Sequence, residues 1–155
     1  GTPLSTVVTE LGGGIKSDDK AVQIGGPLGG LVPVSKIDDL TIDFESFSKE
    51  GFLLGHASVV SVPSDYPIMK FIEHLFDFAA YESCGKCFPC RLGTKRGQEL
   101  AEKALTSDYK IDKKLFTDLL TTLEQGSLCA HGGGIPLPVR NALQYFDDEL
   151  RQYFN

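Results

Sequence analysis

Hydrophobic positions change rhythm near the middle of this chain. After Pro67, Ile68, Phe71, Ile72, Leu75, Phe78 and Ala79 recur at three- and four-residue intervals, the spacing that lays side chains along one stripe of a helix. A second helix is predicted from about Arg91 to Leu105. Leu115, Phe116, Leu119, Leu120 and Leu123 mark a third, stopped by Gly126. Val139, Ala142, Leu143, Phe146, Leu150 and Phe154 mark a fourth, starting near Pro138. Four amphipathic helices with short connections predict a four-helix bundle.

The segment before Pro67 has a mixed pattern. Thr2 is expected to cap a helix with Pro3 in its first turn, and Leu4, Val7, Val8 and Leu11 would share its apolar face. Gly12-Gly13-Gly14 would end it. Ala21 to Ile24 and Leu31 to Val34 have the character of short strands, joined by Gly25-Gly26-Pro27-Leu28-Gly29-Gly30 as a hairpin loop. Residues 56–62, rich in β-branched side chains, predict a third strand. The fold class is therefore α+β, with a small domain over residues 1–64 and a helical domain over residues 65–155, joined at Pro63-Ser64-Asp65-Tyr66-Pro67. Composition shifts at the same place: residues 1–64 carry ten of the 17 glycines and no arginine, whereas every cysteine lies beyond them. So small a first unit is marginal alone, and whether a first strand precedes Gly1 is left open.

At 41% hydrophobic and 23% charged residues, the 155-residue chain has the composition of a soluble globular protein. A net charge of −6 disfavours nucleic acid as a partner. No apolar run is long enough to insert into a membrane, and no secretory signal opens the chain. A cytoplasmic location is expected, including the cytoplasmic face of a membrane complex. The chain starts at Gly1 and its sole methionine is Met69, so a piece of a longer protein is expected.

Chemistry concentrates in the cysteines. Cys84, Cys87 and Cys90 fall in ESCGKCFPCR, and Cys129 follows in GSLCAHGGG. Three closely spaced thiols can cup one corner of an inorganic cube, and a fourth from elsewhere closes it, as a [4Fe–4S] cluster requires. Gly85 would let the backbone turn between ligands, and Pro89 would stiffen the turn before Cys90. Cys90 is expected near a helix N-terminus, where the macrodipole favours an anion. Lys86, Arg91, Lys95 and Arg96 surround Glu82, the only acid between Tyr81 and Gly97, and cations favour a net-negative cluster. Gly132, Gly133 and Gly134 could present amide donors to a sulfur. Other readings are open: a structural zinc site, which more commonly uses two separated pairs of cysteines, two disulfides, which a reducing compartment opposes, or a redox pair, which needs neither further thiol.

ESCGKCFPCRLGTKRG followed by SLCAHGGGIPLPV resembles the C-terminal part of the flavoprotein subunit of NADH-oxidising complexes. That family includes respiratory complex I, NAD-reducing hydrogenase and NAD-dependent formate dehydrogenase. The GGGI, GGPLGG and FLLGHASVVSV segments resemble the same subunit's β-grasp-like (SLBB) domain. Arg91-Leu92-Gly93, the following Lys-Arg-Gly and the glycines after Cys129 are most similar to the formate dehydrogenase and hydrogenase versions. The resemblance implies that Cys84, Cys87, Cys90 and Cys129 are the cluster ligands. It also implies that electrons pass between FMN and further iron–sulfur centres through this cluster. FMN and NAD would be held in an upstream part that these residues do not contain. GGPLGG lacks the G-x-G-x-x-G spacing of a phosphate loop. The partners implied are that upstream FMN/NADH domain and the iron–sulfur subunits of a larger redox complex. No catalytic residue is expected here, since outer-sphere transfer needs no acid, base or nucleophile; this segment alone is not expected to oxidise NADH. The alternative function is a zinc-stapled interaction domain without redox activity. His131 departs from the apolar residue usual in complex I-like members. It stands to hydrogen-bond a cluster sulfur, or to cap and pack beside the loop.

Overall fold

A computed structural model describes residues 1–16 and 18–155. They form two compact units, Gly1–Tyr66 and Pro67–Asn155.

In the first unit, β1 (Asp19–Ile24), β2 (Gly30–Pro33) and β3 (Val59–Pro63) make an antiparallel sheet in the order β2-β1-β3. Val22 lies opposite Val32 on one side and Ser61 on the other. The glycine-proline loop is the β1–β2 hairpin connection, and Gly25 and Gly26 take φ of +85° and +81° there, a region open to glycine. Residues 56–58 precede the third strand, so His56 stands in a turn against Gly26 rather than on a strand.

The opening helix differs from expectation. Residues Thr6–Leu11 form a π-helix, closed by Gly12 N–H donating to the Val7 carbonyl at 2.9 Å. The wider turn drifts away from the 3.6-residue period. Leu4 and Val8 are buried, whereas Leu11 is 76% exposed. Thr2 caps nothing; its carbonyl accepts from Ile42 N–H at 2.7 Å, part of an extended pairing that bridges Pro3 to Thr41. A short helix α1 (Phe44–Lys49), unforeseen in the sequence, starts at Asp43, whose carboxylate accepts from Ser46 N–H at 2.7 Å. It buries Phe47 completely.

The second unit is the four-helix bundle. Helices α2 (Ile68–Tyr81), α3 (Phe88–Thr106) and α4 (Lys113–Gly126) are followed by a short α5 (Ala130–Gly134), by α6 (Pro136–Tyr145) and by α7 (Asp147–Leu150). Contacts of α2 with α3, α3 with α4, α4 with α6 and α6 with α2 close the ring. Phe76, fully buried, meets Phe116 edge-on at 6.0 Å, and Phe116 meets Phe154 at 5.5 Å. Gly97 lets the Phe76 ring lie on α3: a Cβ there would come within 2.3 Å of the ring. The expected core residue Phe78 is only half-buried, because Phe76 takes the inward position on α2. The fourth predicted helix breaks at Phe146, where φ is −126° and ψ is +30°.

Candidate metal centre

The three clustered cysteines occupy the α2–α3 connection and the first turn of α3. Cys84 is exposed and followed by Gly85 at φ +72°, a left-handed turn that a side chain would strain. Cys87 caps α3 in extended conformation, and Arg91 N–H donates to its carbonyl at 3.0 Å. The helix thus starts at Phe88, a turn earlier than expected, and Pro89 lies inside its first turn, where its missing N–H costs nothing. Cys90 is helical and 4% exposed. Cys129 is exposed and stands immediately before α5, a helix that contacts both α3 and α4.

Cys87, Cys129 and Cys84 all act electrostatically on Cys90. Burial pushes the Cys90 thiol up, and repulsion from Cys87, Cys129 and Cys84 adds to that, while the Ser83 hydroxyl acts against it. Cys87 is held below the ordinary thiol range, first by Leu128 N–H and then by the N–H groups of Cys90 and Cys87 itself, with burial opposing. The Leu128 amide, in the loop before Cys129, thus acts on Cys87, and Gly132, three residues after Cys129, packs against Cys90. All four are free thiols.

Several neighbours differ from the sequence reading. Of the glycines after Cys129, Gly133 donates its N–H to the Cys129 carbonyl at 3.1 Å. Gly132 instead provides room. A Cβ there would lie 2.4 Å from Ser127 Oγ and 2.8 Å from Cys90 Cβ. His131 Nε2 lies 3.0 Å from the Ala79 carbonyl, and its ring tilts toward Phe78 at 6.3 Å. A carbonyl only accepts, so Nε2 donates, and the histidine caps and packs beside the loop. Arg91 donates to the Gly85 carbonyl at 3.3 Å and stacks over Phe88 at 5.6 Å, steadying the cysteine loop. Arg96 pairs with Glu99. Ser83, Ser127 and the Leu128 amide were missed in the sequence, although ESC and GSLC place each serine one or two positions before a cysteine.

The donors fit an anionic, sulfur-rich group. Four thiols and adjacent N–H groups favour thiolate ligation. Ser127 Oγ is sealed from solvent without a hydrogen-bond partner, close enough to Cys87 to favour its thiolate slightly. Its nearest use is thus a sulfur. Among the described residues, no three His, Cys, Asp or Glu side chains are grouped to hold one metal ion. No helix among the described residues is long and apolar enough to cross a membrane.

Residues 70–153 match the family described as the NADH-ubiquinone oxidoreductase-F iron–sulfur binding region, a [4Fe–4S] family. The chain is 31% identical over 156 residues to the NADP-reducing hydrogenase subunit HndC of Solidesulfovibrio fructosivorans, covering 99% of this chain and 32% of that subunit. It is 30% identical over 133 residues to the mitochondrial NADH-ubiquinone oxidoreductase 51 kDa subunit of Aspergillus niger, covering 84% and 26%. A crystal structure of an NAD+-reducing [NiFe]-hydrogenase superposes with a TM-score of 0.84 at 25% identity, covering all of this chain and 26% of that one. The chain thus spans about a third or less of the length of these relatives.

Proposed function

The chain belongs to the NADH-ubiquinone oxidoreductase-F iron–sulfur binding region family, and from that premise we propose that Cys84, Cys87, Cys90 and Cys129 hold one [4Fe–4S] cluster. In this reading the polypeptide is the electron-transfer segment of an NADH-oxidising or NAD-reducing flavoprotein subunit. FMN and the nicotinamide belong to an upstream part of that subunit, and further iron–sulfur subunits of the complex are the partners. Such a cluster, when bound, supplies one-electron storage and outer-sphere transfer. The first unit takes the β-grasp-like (SLBB) role.

The chain's own residues prepare the site. Burial of Cys90 keeps water from one ligand. The Leu128 amide stabilises charge on the Cys87 sulfur, and the Arg91 guanidinium sits over the turn between Cys84 and Cys87. The single observation that supports the reading best is that α5, which Cys129 opens, packs against Cys90: the Cβ position of Gly132 lies 2.8 Å from Cys90 Cβ, a convergence that a simple C-x-x-C redox pair would not need.

Metal analysis of anaerobically purified full-length protein tests this. About four irons and four acid-labile sulfides per chain are expected, with loss of the cluster in Cys129→Ser. One zinc per chain without sulfide would overturn the proposal in favour of a zinc-stapled interaction domain.

A further inference from the structure

Two serine hydroxyls lie against two of the cysteines that the proposed function makes ligands. Ser83 Oγ is 3.4 Å from Cys90 Sγ. The same oxygen accepts from Gly85 N–H at 3.2 Å. That bond occupies a lone pair and leaves the hydroxyl proton to point at sulfur. Gly85 holds this place in a left-handed turn, so the turn that spaces Cys84 from Cys87 also orients Ser83.

Ser127 is the second. It ends α4, its N–H donating to the Leu123 carbonyl at 3.2 Å, and its Oγ is buried with no partner. Leaving a buried hydroxyl unsatisfied is costly, so such a group ordinarily has a partner in the working molecule. Gly132 fixes which partner is near. The point where its Cβ would stand is 2.4 Å from Ser127 Oγ and 2.8 Å from Cys90 Cβ, so serine and cysteine share one small sealed volume. The Ser127 hydroxyl is also close enough to Cys87 to favour its thiolate slightly.

We propose that Ser83 and Ser127 are positioning residues that donate O–H···S hydrogen bonds to the sulfurs of Cys90 and Cys87, and that these bonds raise the reduction potential of the centre. The inference rests on the ligand assignment above. Reduction adds one electron to the iron–sulfur unit and moves no atom, so it increases negative charge on the ligating sulfurs. A hydroxyl proton aimed at sulfur stabilises the reduced form more than the oxidised form. Both donors are neutral at working pH, so their contribution does not vary with pH.

Potentiometric titration of the full-length holoprotein, followed by the electron paramagnetic resonance signal of this cluster, tests the idea in Ser83→Ala, Ser127→Ala, the double variant and Ser83→Thr. Each alanine should lower the equilibrium constant for reduction by about tenfold, which reads as a fall of about 59 mV for a one-electron couple. Iron and sulfide content should stay at the wild-type level, and Ser83→Thr should restore the wild-type potential. Proton hyperfine spectra compared between ordinary and deuterated buffer should show one fewer exchangeable coupling per alanine. Unchanged potentials and couplings in variants with full iron content would overturn the proposal while leaving the ligand assignment intact. A wild-type protein that binds no four-iron cluster would instead overturn the assignment, and the inference with it. If Ser127→Ala fails to retain a cluster, the half-exposed Ser83 position still decides the matter.

Discussion

Gly132→Ala is the sharpest steric test of the centre. The added methyl would stand 2.4 Å from Ser127 Oγ, and 2.8 Å from both Ser127 Cβ and Cys90 Cβ. Carbon atoms rest about 3.5–4.0 Å apart, so about 1 Å must be found. Rotating the serine hydroxyl away does not supply it, because Ser127 Cβ is itself too close. Cys90 cannot yield easily either: it is 4% exposed in a 19-residue helix, and the Thr94 hydroxyl donates to its carbonyl at 2.7 Å. The five-residue α5 is the lighter body and moves, carrying Cys129 at its start. Overpacking of this kind costs about 1–3 kcal/mol, against about 1 kcal/mol of helix propensity gained by alanine. The fall in thermal midpoint should then be small, about 2–6 °C. The loss of metal should be large, since ligand distances tolerate only about 0.2 Å. After anaerobic purification, Gly132→Ala should hold less than about half the wild-type iron and sulfide. Gly133→Ala is the control: the nearest atom to its new methyl is the Glu124 carbonyl oxygen at 3.5 Å, an ordinary contact, and it should load like wild type. A Gly132→Ala protein with wild-type iron content and midpoint would refute the reasoning, as would equal loss in both variants.

In the metal-free chain, Cys87 is held below the ordinary thiol range by the Leu128 amide while burial pushes Cys90 above it. Iodoacetamide near neutral pH should therefore alkylate Cys87 well before Cys90, as mapped by peptide mass spectrometry at short times; prior labelling of Cys90 would contradict the site's electrostatics. Asp43 is held below its usual value of 3.8, first by the Thr41 hydroxyl and then by Ser46 N–H. Because the folded value is the depressed one, its stabilisation is complete above about pH 4 and disappears as pH falls through the lower folded value. Thermal midpoints measured down to about pH 2 should show this acid-side loss in wild type and less of it in Asp43→Asn, whose amide still caps α1 but does not titrate.

What was legible in the sequence was what repeats or what is chemically rare. Helical spacing found α2, α3 and α4 because each buries a stripe of several apolar residues, and the cysteine spacing stood out because few uses need three thiols so close. Single positions were harder to read. Periodicity placed Phe78 on the core stripe and passed over Phe76, and only packing against Phe116 selects Phe76. The π-helix was invisible because Leu4, Val7, Val8 and Leu11 satisfy the 3.6-residue rhythm, while tertiary pairing of Pro3 with Thr41 starts the segment in extended form. His131 stood between two readings in the sequence, a sulfur donor or a cap packed beside the loop. Its partner, the Ala79 carbonyl, lies 52 positions away, and no local pattern carries that information.

The same long-range dependence explains how folding and ligation are joined. Cys84, Cys87 and Cys90 are placed locally, by one left-handed glycine and the start of α3. Cys129 is placed only after α4 has packed on α3, because the short helix it opens rests on both. A three-thiol site can therefore exist in a partly folded chain, but a four-thiol site requires the closed bundle. Any group that binds all four thiols binds the folded form preferentially, and its binding energy adds to the stability of the second unit by mass action. The π-helix and sheet of the first unit contribute no thiol to this coupling. Loss of the centre should thus loosen the contacts of α5 with α3 and α4 before it disturbs the aromatic contacts of Phe76, Phe116 and Phe154, which involve no cysteine.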